Sequence, residues 1–208
     1  MLASQSDERK KRYAFIDVQN TETTTLKVLD FEIDHNRLFA YLKDKWKCEK
    51  VFFYPGIEYN DANRKKIFDE IVDNGAMVYP KYFSKYKNKD RIIKLTCNKC
   101  ENKIVYKINN GYSWKSNCDV EMTIDILDSV KKGSEILIFT GDGDFKLLIE
   151  RAVLCGSKVY IVSSRKKNKS NFQNSASRFS TKLQELIARY PGMVMYIEID
   201  DWKMRIKK

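Results

Sequence analysis

Residues 141–144 read Gly-Asp-Gly-Asp and follow the apolar run Ile136-Leu137-Ile138-Phe139 after Thr140. Two carboxylates this close in a short turn are hard oxygen donors of the kind that magnesium and manganese prefer. An apolar strand entering such a turn is also where an open α/β sheet places its ligands, beyond the carboxyl ends of the strands. Gly141 and Gly143 are expected to supply positive φ or a close backbone approach there. An EF-hand is excluded: with Asp142 in position 1, Leu147 stands where Gly is needed and Val153 where Glu is needed. Capping of the next helix accounts for one of the two carboxylates and leaves the other without a role.

Two carboxylates do not complete a cation site, and others must converge on Asp142 and Asp144. Asp17 ends the run Phe15-Ile16-Asp17. In a doubly wound sheet the first strand is central and lies beside the strand that enters the Asp142 turn, so their carboxyl ends meet. Asp119 opens a helical pattern after Lys115-Ser116-Asn117-Cys118 and can lie at the same edge. Taken singly, Asp17 reads equally as a strand-terminal turn residue and Asp119 as an N-cap. Asp125 falls more than half a helical turn round from Asp119 and is the weaker candidate. The single histidine, His35, sits at an expected helix start away from these residues, which gives little support to a histidine-based mechanism.

The elements that must position these residues alternate along the chain. Residues 13–17, 50–54, 76–79, 135–140 and 158–162 read as strands, with a further edge strand at 193–199. Helical patterns follow Asp34 (Leu38, Phe39, Leu42 and Trp46 on one face) and Asn60 or Asp61 (Ile67, Phe68, Ile71 and Val72 inward, ending near Gly75). Others span 119–132 (Val120, Ile124, Leu127, Val130), the stretch with Leu148, Ala152 and Val153, and 180–190. Strands alternating with helices predict an α/β fold with a mostly parallel sheet covered on both faces. Residues 1–12 form a polar tail, and 13–208 one domain. Residues 81–117 break the rhythm and read as an inserted hairpin, 91–96 against 103–108, with Cys97-Asn98-Lys99-Cys100 in its turn. Residues 163–179 form a loop carrying Arg165, Lys166, Lys167, Lys169 and Arg178 among Phe172 and Phe179. That mixture suits phosphate contact with base stacking, and equally a solvated connection.

The formal net charge of +11 fits either a lysine-rich solvated surface or a basic shell around an acidic pocket, as cleavage of a polyanion requires. The N-terminus is polar where a signal peptide is apolar, and no run reaches membrane-spanning length, so no membrane partner is expected. Five cysteines without a secretory signal indicate a reducing, cytoplasmic setting. Cys97 and Cys100 have the spacing of half a zinc knuckle, but no second pair follows. A reduced pair, a zinc ion, or a site completed across a homodimer by a second Cys97 and Cys100 all stay open.

Three blocks resemble the NYN domains, relatives of the PIN-domain nucleases. Asp17-Val18-Gln19-Asn20 is similar to the family's opening Asp-x-x-Asn. Cys118-Asp119-Val120, with Lys115 before it and Asp125 after it, is similar to the family's Lys, Asp-Val and following Asp. Thr140-Gly141-Asp142-Gly143-Asp144-Phe145 matches its most specific block. The resemblance implies a PIN-like three-layer α/β/α sandwich and Mg2+- or Mn2+-dependent RNA cleavage to 5′-phosphate and 3′-hydroxyl products. It implies an acidic site of Asp17, Asp119, Asp142 and Asp144, supported by Asn20, with Lys115 on the substrate side. The chain departs from the pattern in Ser116, where many members have Gly, and in its longer hairpin. Three rival classes are a non-catalytic RNA-binding or scaffold module of the same fold, a Toprim-type site and a Rossmann nucleotide site. A Toprim site calls for Glu where Asp17 stands, and a Rossmann site for a glycine-rich loop where Val18-Gln19-Asn20-Thr21 stands.

Overall fold

Strand β1 (Arg12–Asp17) is apolar on both faces, so it must be covered on both. Its alternation divides the molecule: Ala14 and Ile16 enter one core, Tyr13 and Phe15 the other. The computed structural model describes residues 10–167 and 178–208, apart from the side chains of Trp114 and Lys115. After β1 come α1 (Val18–Leu29), α2 (His35–Asp44), β2 (Lys50–Tyr54), β3 (Gly56–Ile57), α3 (Ala62–Asp73), β4 (Met77–Val78) and β5 (Lys81–Tyr82). Then follow β6 (Ser84–Lys87), β7 (Arg91–Thr96), β8 (Lys103–Ile108), β9 (Tyr112–Lys115) and α4 (Asp119–Ser129). The chain continues through β10 (Glu135–Phe139), α5 (Lys146–Leu154), β11 (Lys158–Ser163), α6 (Thr181–Arg189), β12 (Val194–Glu198) and α7 (Lys203–Ile206).

Six strands form one parallel sheet in the order β12-β11-β10-β1-β2-β4. β1 and β10 are central neighbours, with Ile16 beside Phe139, so Asp17 and the turn after β10 emerge side by side. Helices α1, α2, α3 and α7 pack on one face through Val28, Leu38, Phe68 and Ile206. Helices α4, α5 and α6 pack on the other through Met122, Ile149 and Leu183. This is the expected three-layer α/β/α arrangement.

Several expectations need correction. Arg12 is not part of a tail: it is a strand residue whose guanidinium pairs with Glu135 and reaches the Trp46 carbonyl. Helix α1 had no sequence counterpart, because its threonines lack helical propensity and blur the apolar period. Hydroxyls among them are satisfied by the helix itself, Thr21 donating to Asp17 O (2.6 Å) and Thr25 to Thr21 O (3.2 Å). That internal pairing lets Thr21 and Thr25 be buried, whereas the buried Thr24 hydroxyl has no partner among the described residues. Helix α4 is rotated from the expected phase: Met122 and Ile126 are buried, while Val120, Ile124 and Leu127 face outward. Val72 of α3 likewise points out.

His35 lies on the α1–α2–α3 side of the sheet, within 2.8 Å of the Glu22 carboxylate, which also takes two bonds from Arg64. Burial works against that carboxylate's charge, but the bonds from His35 and Arg64 prevail and lower Glu22 to about 2. The histidine is thus used in tying three helices together. The stretch from β6 to β9 rises away from the sheet. β6 pairs with β9 as a stem, and above it β7 pairs with β8 over the spans expected from sequence, Arg91 opposite Ile108 and Thr96 opposite Lys103.

Candidate active site

Asp17 closes β1 and caps α1, its carboxylate accepting from Asn20 N at 3.0 Å. Asn20 is then held one turn into the helix, and its side-chain oxygen accepts from Gly141 N at 3.0 Å. This single amide ties the first helix to the turn after β10. In that turn Asp142 N donates to Thr140 Oγ1 (3.1 Å), and the Asp142 carboxylate accepts from Asp144 N (2.9 Å). The glycines are needed for close approach. A Cβ on Gly141 would stand 2.8 Å from the Arg178 carbonyl oxygen, and one on Gly143 would run into Ser180 Oγ.

Asp119 opens α4 but does not cap it. Cys118 holds the cap position, and Asn117 supplies the bond, accepting from Asp119 N at 2.7 Å. Asp119 is thereby free to face the same cavity as Asp17 and Asp142. That cavity measures about 520 Å3 and is walled also by Asn20, Tyr54 and Arg178. A second cavity of about 530 Å3 shares Asn20, Asp142 and Arg178 and adds Asp144 and Lys182. Asp144 is exposed on this outer side, 3.5 Å from the Lys182 ammonium. Asp125 turns elsewhere, accepting from the Tyr54 hydroxyl at 2.7 Å.

Burial raises the Asp17 carboxyl to about 6, with repulsion from Asp119 and Asp142 adding to it and the Asn20 bond and Arg178 opposing it. Asp119 is raised too, mainly by burial and further by Asp142 and Asp144, against the Asn117 bond. Sheltered carboxylates that repel one another form an environment a small hard cation would relieve. Carboxylate and amide oxygens are the appropriate donors. Among the described residues, however, no three His, Cys, Asp or Glu groups already stand close enough to grip one ion. The donor chemistry fits, and the side chains would have to draw inward on binding.

The expected basic loop is placed less simply. Arg165 stacks over Tyr196 (4.0 Å) and Phe179 (5.2 Å), and Lys166 pairs with Asp200. Neither lines the two cavities, nor does exposed Lys167. Lys169 and Phe172 lie outside the described residues, as does the Lys115 side chain. Among the described residues, the cations lining the cavities are Arg178 and Lys182. Lys182 had escaped the sequence reading, although one signal was present: a lysine in the first turn of a helix opposes the helix dipole and calls for another reason to be there. Tyr54 was read only as a strand residue, yet it walls the inner cavity.

A parallel α/β/α sandwich with carboxylates at the carboxyl edge of its two central strands defines a PIN-like architecture. The NYN domain model matches residues 12–186, and the chain belongs to that family. It is 23% identical over 148 residues to the low amplitude and bright protein LabA of Synechococcus elongatus, covering 70% of each chain. A solved protein of unknown function from Vibrio parahaemolyticus superposes with a TM-score of 0.60 at 21% identity, over 95% of this chain and 97% of that one. The second likeness concerns the fold alone. Among the described residues, no helix is long and apolar enough to cross a membrane.

Proposed function

We propose that the chain is a divalent-metal-dependent ribonuclease that hydrolyses RNA phosphodiester bonds at the Asp17–Asp119–Asp142 cavity. The observation that carries this reading is the convergence of those carboxylates, from three separate segments, on one cavity at the sheet edge. NYN domains are typically nucleases. Asp17, Asp119 and Asp142 would hold Mg2+ or Mn2+, with Asp144 at the outer rim. A bound ion supplies Lewis acidity toward phosphoryl and water oxygens. The chain's own residues do the rest. Asn20 fixes the spacing between Asp17 and the Asp142 turn. Arg178 and Lys182 hold the substrate phosphate against the acidic edge, offsetting repulsion between two anions. The Tyr54 wall, held by Asp125, offers an aromatic face and limits water entry.

A second reading, a non-catalytic RNA-binding or scaffold module, is favoured by one observation: the carboxylates are not drawn into a ready ion site. The two separate in one experiment. Labelled single-stranded and structured RNA are incubated with the protein plus Mn2+ or Mg2+, with chelator, and with the Asp142→Asn variant. The nuclease reading expects cleavage with metal alone, lost in chelator and in Asp142→Asn. RNA binding without cleavage under every metal condition establishes the module instead.

A further inference from the structure

Strands β7 and β8 pair only with each other, and nearly all of their residues are exposed. An isolated two-stranded hairpin is marginally stable in water. The register sets Arg91 across from Ile108, Ile93 from Tyr106 and Leu95 from Ile104. Directly opposed residues share a face. One face therefore carries Ile93, Leu95, Ile104, Tyr106 and Ile108, with Arg91 at its base, and the other holds Lys94, Lys103 and Lys107 together with Ile92 and Val105. Leu95 and Tyr106 are 52% and 54% exposed. The alternation continues into the turn, where Cys97 N still donates to Asn102 O (2.9 Å), so Cys97 falls on the apolar face.

The turn is built around a sulfur. Glu101 N closes it onto Cys97 O (2.9 Å), with Glu101 in the left-handed region at φ 55°. The backbone N–H groups of Lys99 and Cys100 are directed at the Cys97 sulfur. Two cysteines at this spacing on a tight turn are soft donors of the kind zinc takes. Zinc in structural sites takes four ligands. Among the described residues no third His, Cys, Asp or Glu stands with these two. Cys118 lines the acidic cavity, Cys48 is buried, and Cys155 ends α5.

We infer that Cys97 and Cys100 form half of a four-thiolate zinc site, completed by the same two residues of a second copy whose hairpin covers this one's apolar face. A two-fold axis running along the hairpin satisfies both demands together. It packs apolar face on apolar face and sets tip beside tip, as a self-complementary interface requires. The lysine-bearing face, which also holds Ile92 and Val105, then points outward on both copies. Each thiol releases its proton to solvent as its sulfur binds the ion. This site is separate from the acidic cavity and does not depend on the nuclease reading.

The test uses the full chain, purified in the presence of zinc, desalted, and measured by metal analysis and light scattering. The expected result is one zinc per two chains and the mass of a dimer. Cys97→Ser and Cys100→Ser should lose the zinc and weaken the dimer at least tenfold, with far-UV circular dichroism unchanged. Leu95→Lys keeps both thiols; it should weaken the dimer to a similar degree and lose zinc with it. Zinc-free wild-type protein, a monomer holding one zinc per chain, or a dimer indifferent to all three substitutions would overturn the inference.

Discussion

The sheet edge and the hairpin are both built on strands, but different forces hold them. At the edge, β1 and β10 are buried on both faces, and polar groups that emerge are held by neighbours: Asp17 by Asn20, Asn20 by Gly141, Asp142 by Asp144. In the hairpin the backbone ladder is complete, yet the side chains stand in water. The edge therefore resists change in shape and stores charge repulsion. The hairpin tolerates change in shape and has apolar surface left to bury. That difference suits a backbone-fixed cavity on one side and an assembly element on the other.

The sharpest way to break the comparison is a pair of glycine substitutions. In Gly141→Ala the new methyl meets the Arg178 carbonyl oxygen at 2.8 Å and Ser163 Oγ at 3.1 Å, and a backbone atom cannot swing aside. A loss of about 3 kcal/mol is expected from this overpacking, with loss of any metal-dependent cleavage. In Gly111→Ala, at the hairpin stem, the methyl meets nothing within 4 Å, and only the positive φ of 66° opposes it. That should cost about 1 kcal/mol. Denaturant titration of both variants gives the two numbers, and equal losses would remove the distinction.

Charge offers the next test. Asp17 titrates at about 6 in the fold against 3.8 for a free carboxyl. Between those values the native state binds more protons than the unfolded chain, so stability falls as pH rises through the window, and the whole penalty is present above pH 6. Asp17→Asn removes the charge but keeps an oxygen to accept from Asn20 N, and Asn is an equally good N-cap. The variant should be more stable than wild type at pH 7.5 by roughly 2 kcal/mol, with the gap closing by about pH 4. In the hairpin, Asp90 shifts the other way, held low by Lys107. The Lys107 side chain is 71% exposed, so the pair should be weakened by salt. Urea titrations across pH distinguish the two carboxylates, and a gap at pH 7.5 that persists unchanged at pH 4 would remove burial of Asp17 as the cause.

How far the sequence could be read follows the same division. The strands meeting at the edge were legible because buried parallel strands are short, uniformly apolar and closed by Asp or Gly. The hairpin was legible because two runs rich in β-branched residues flank a short turn that holds Cys97 and Cys100. What escaped lay where side chains satisfy the backbone in ways that periodicity does not record. Helix α1 hides behind threonines bonded to their own helix. Helix α4 shows its apolar Val120, Ile124 and Leu127 to solvent, which misled the phase, and its rotation is what brings Asp119 to the cavity. Asp17, Asn20, Asp119, Asp142 and Asp144 could be proposed from three motifs. Their division into an inner group and an outer Asp144 paired with Lys182 depends on packing that no motif carries.

Substrate contact sharpens the comparison on the basic side. Arg178 and Lys182 border the cavities, whereas Lys166 is engaged by Asp200. Arg178→Ala and Lys182→Ala should each lower the slope of log affinity against log salt for single-stranded RNA by about one, since each removes a phosphate contact. Lys166→Ala should leave that slope unchanged. A slope that responds to Lys166 and ignores Arg178 would move the substrate path off the acidic edge.

The smallest expected effect is the most direct trial of the hairpin's independence. Asn88 N donates to Gly111 O at 3.0 Å, so the two sides of the stem are already within reach of a tight turn. Replacing residues 89–110 with Asn-Gly closes β6 onto β9 without disturbing the register of Lys87 with Tyr112. Shortening a loop changes chain entropy only slightly. The deleted residues contribute nothing to either hydrophobic core. Thermal stability of the monomeric fold should therefore shift by no more than about 1 kcal/mol. Metal-dependent cleavage should persist, because Asp119 is positioned by Asn117 and the packing of Met122, both outside the deletion. A chain that fails to fold without residues 89–110 would show that the hairpin props up the edge after all, and the two regions would have to be treated as one.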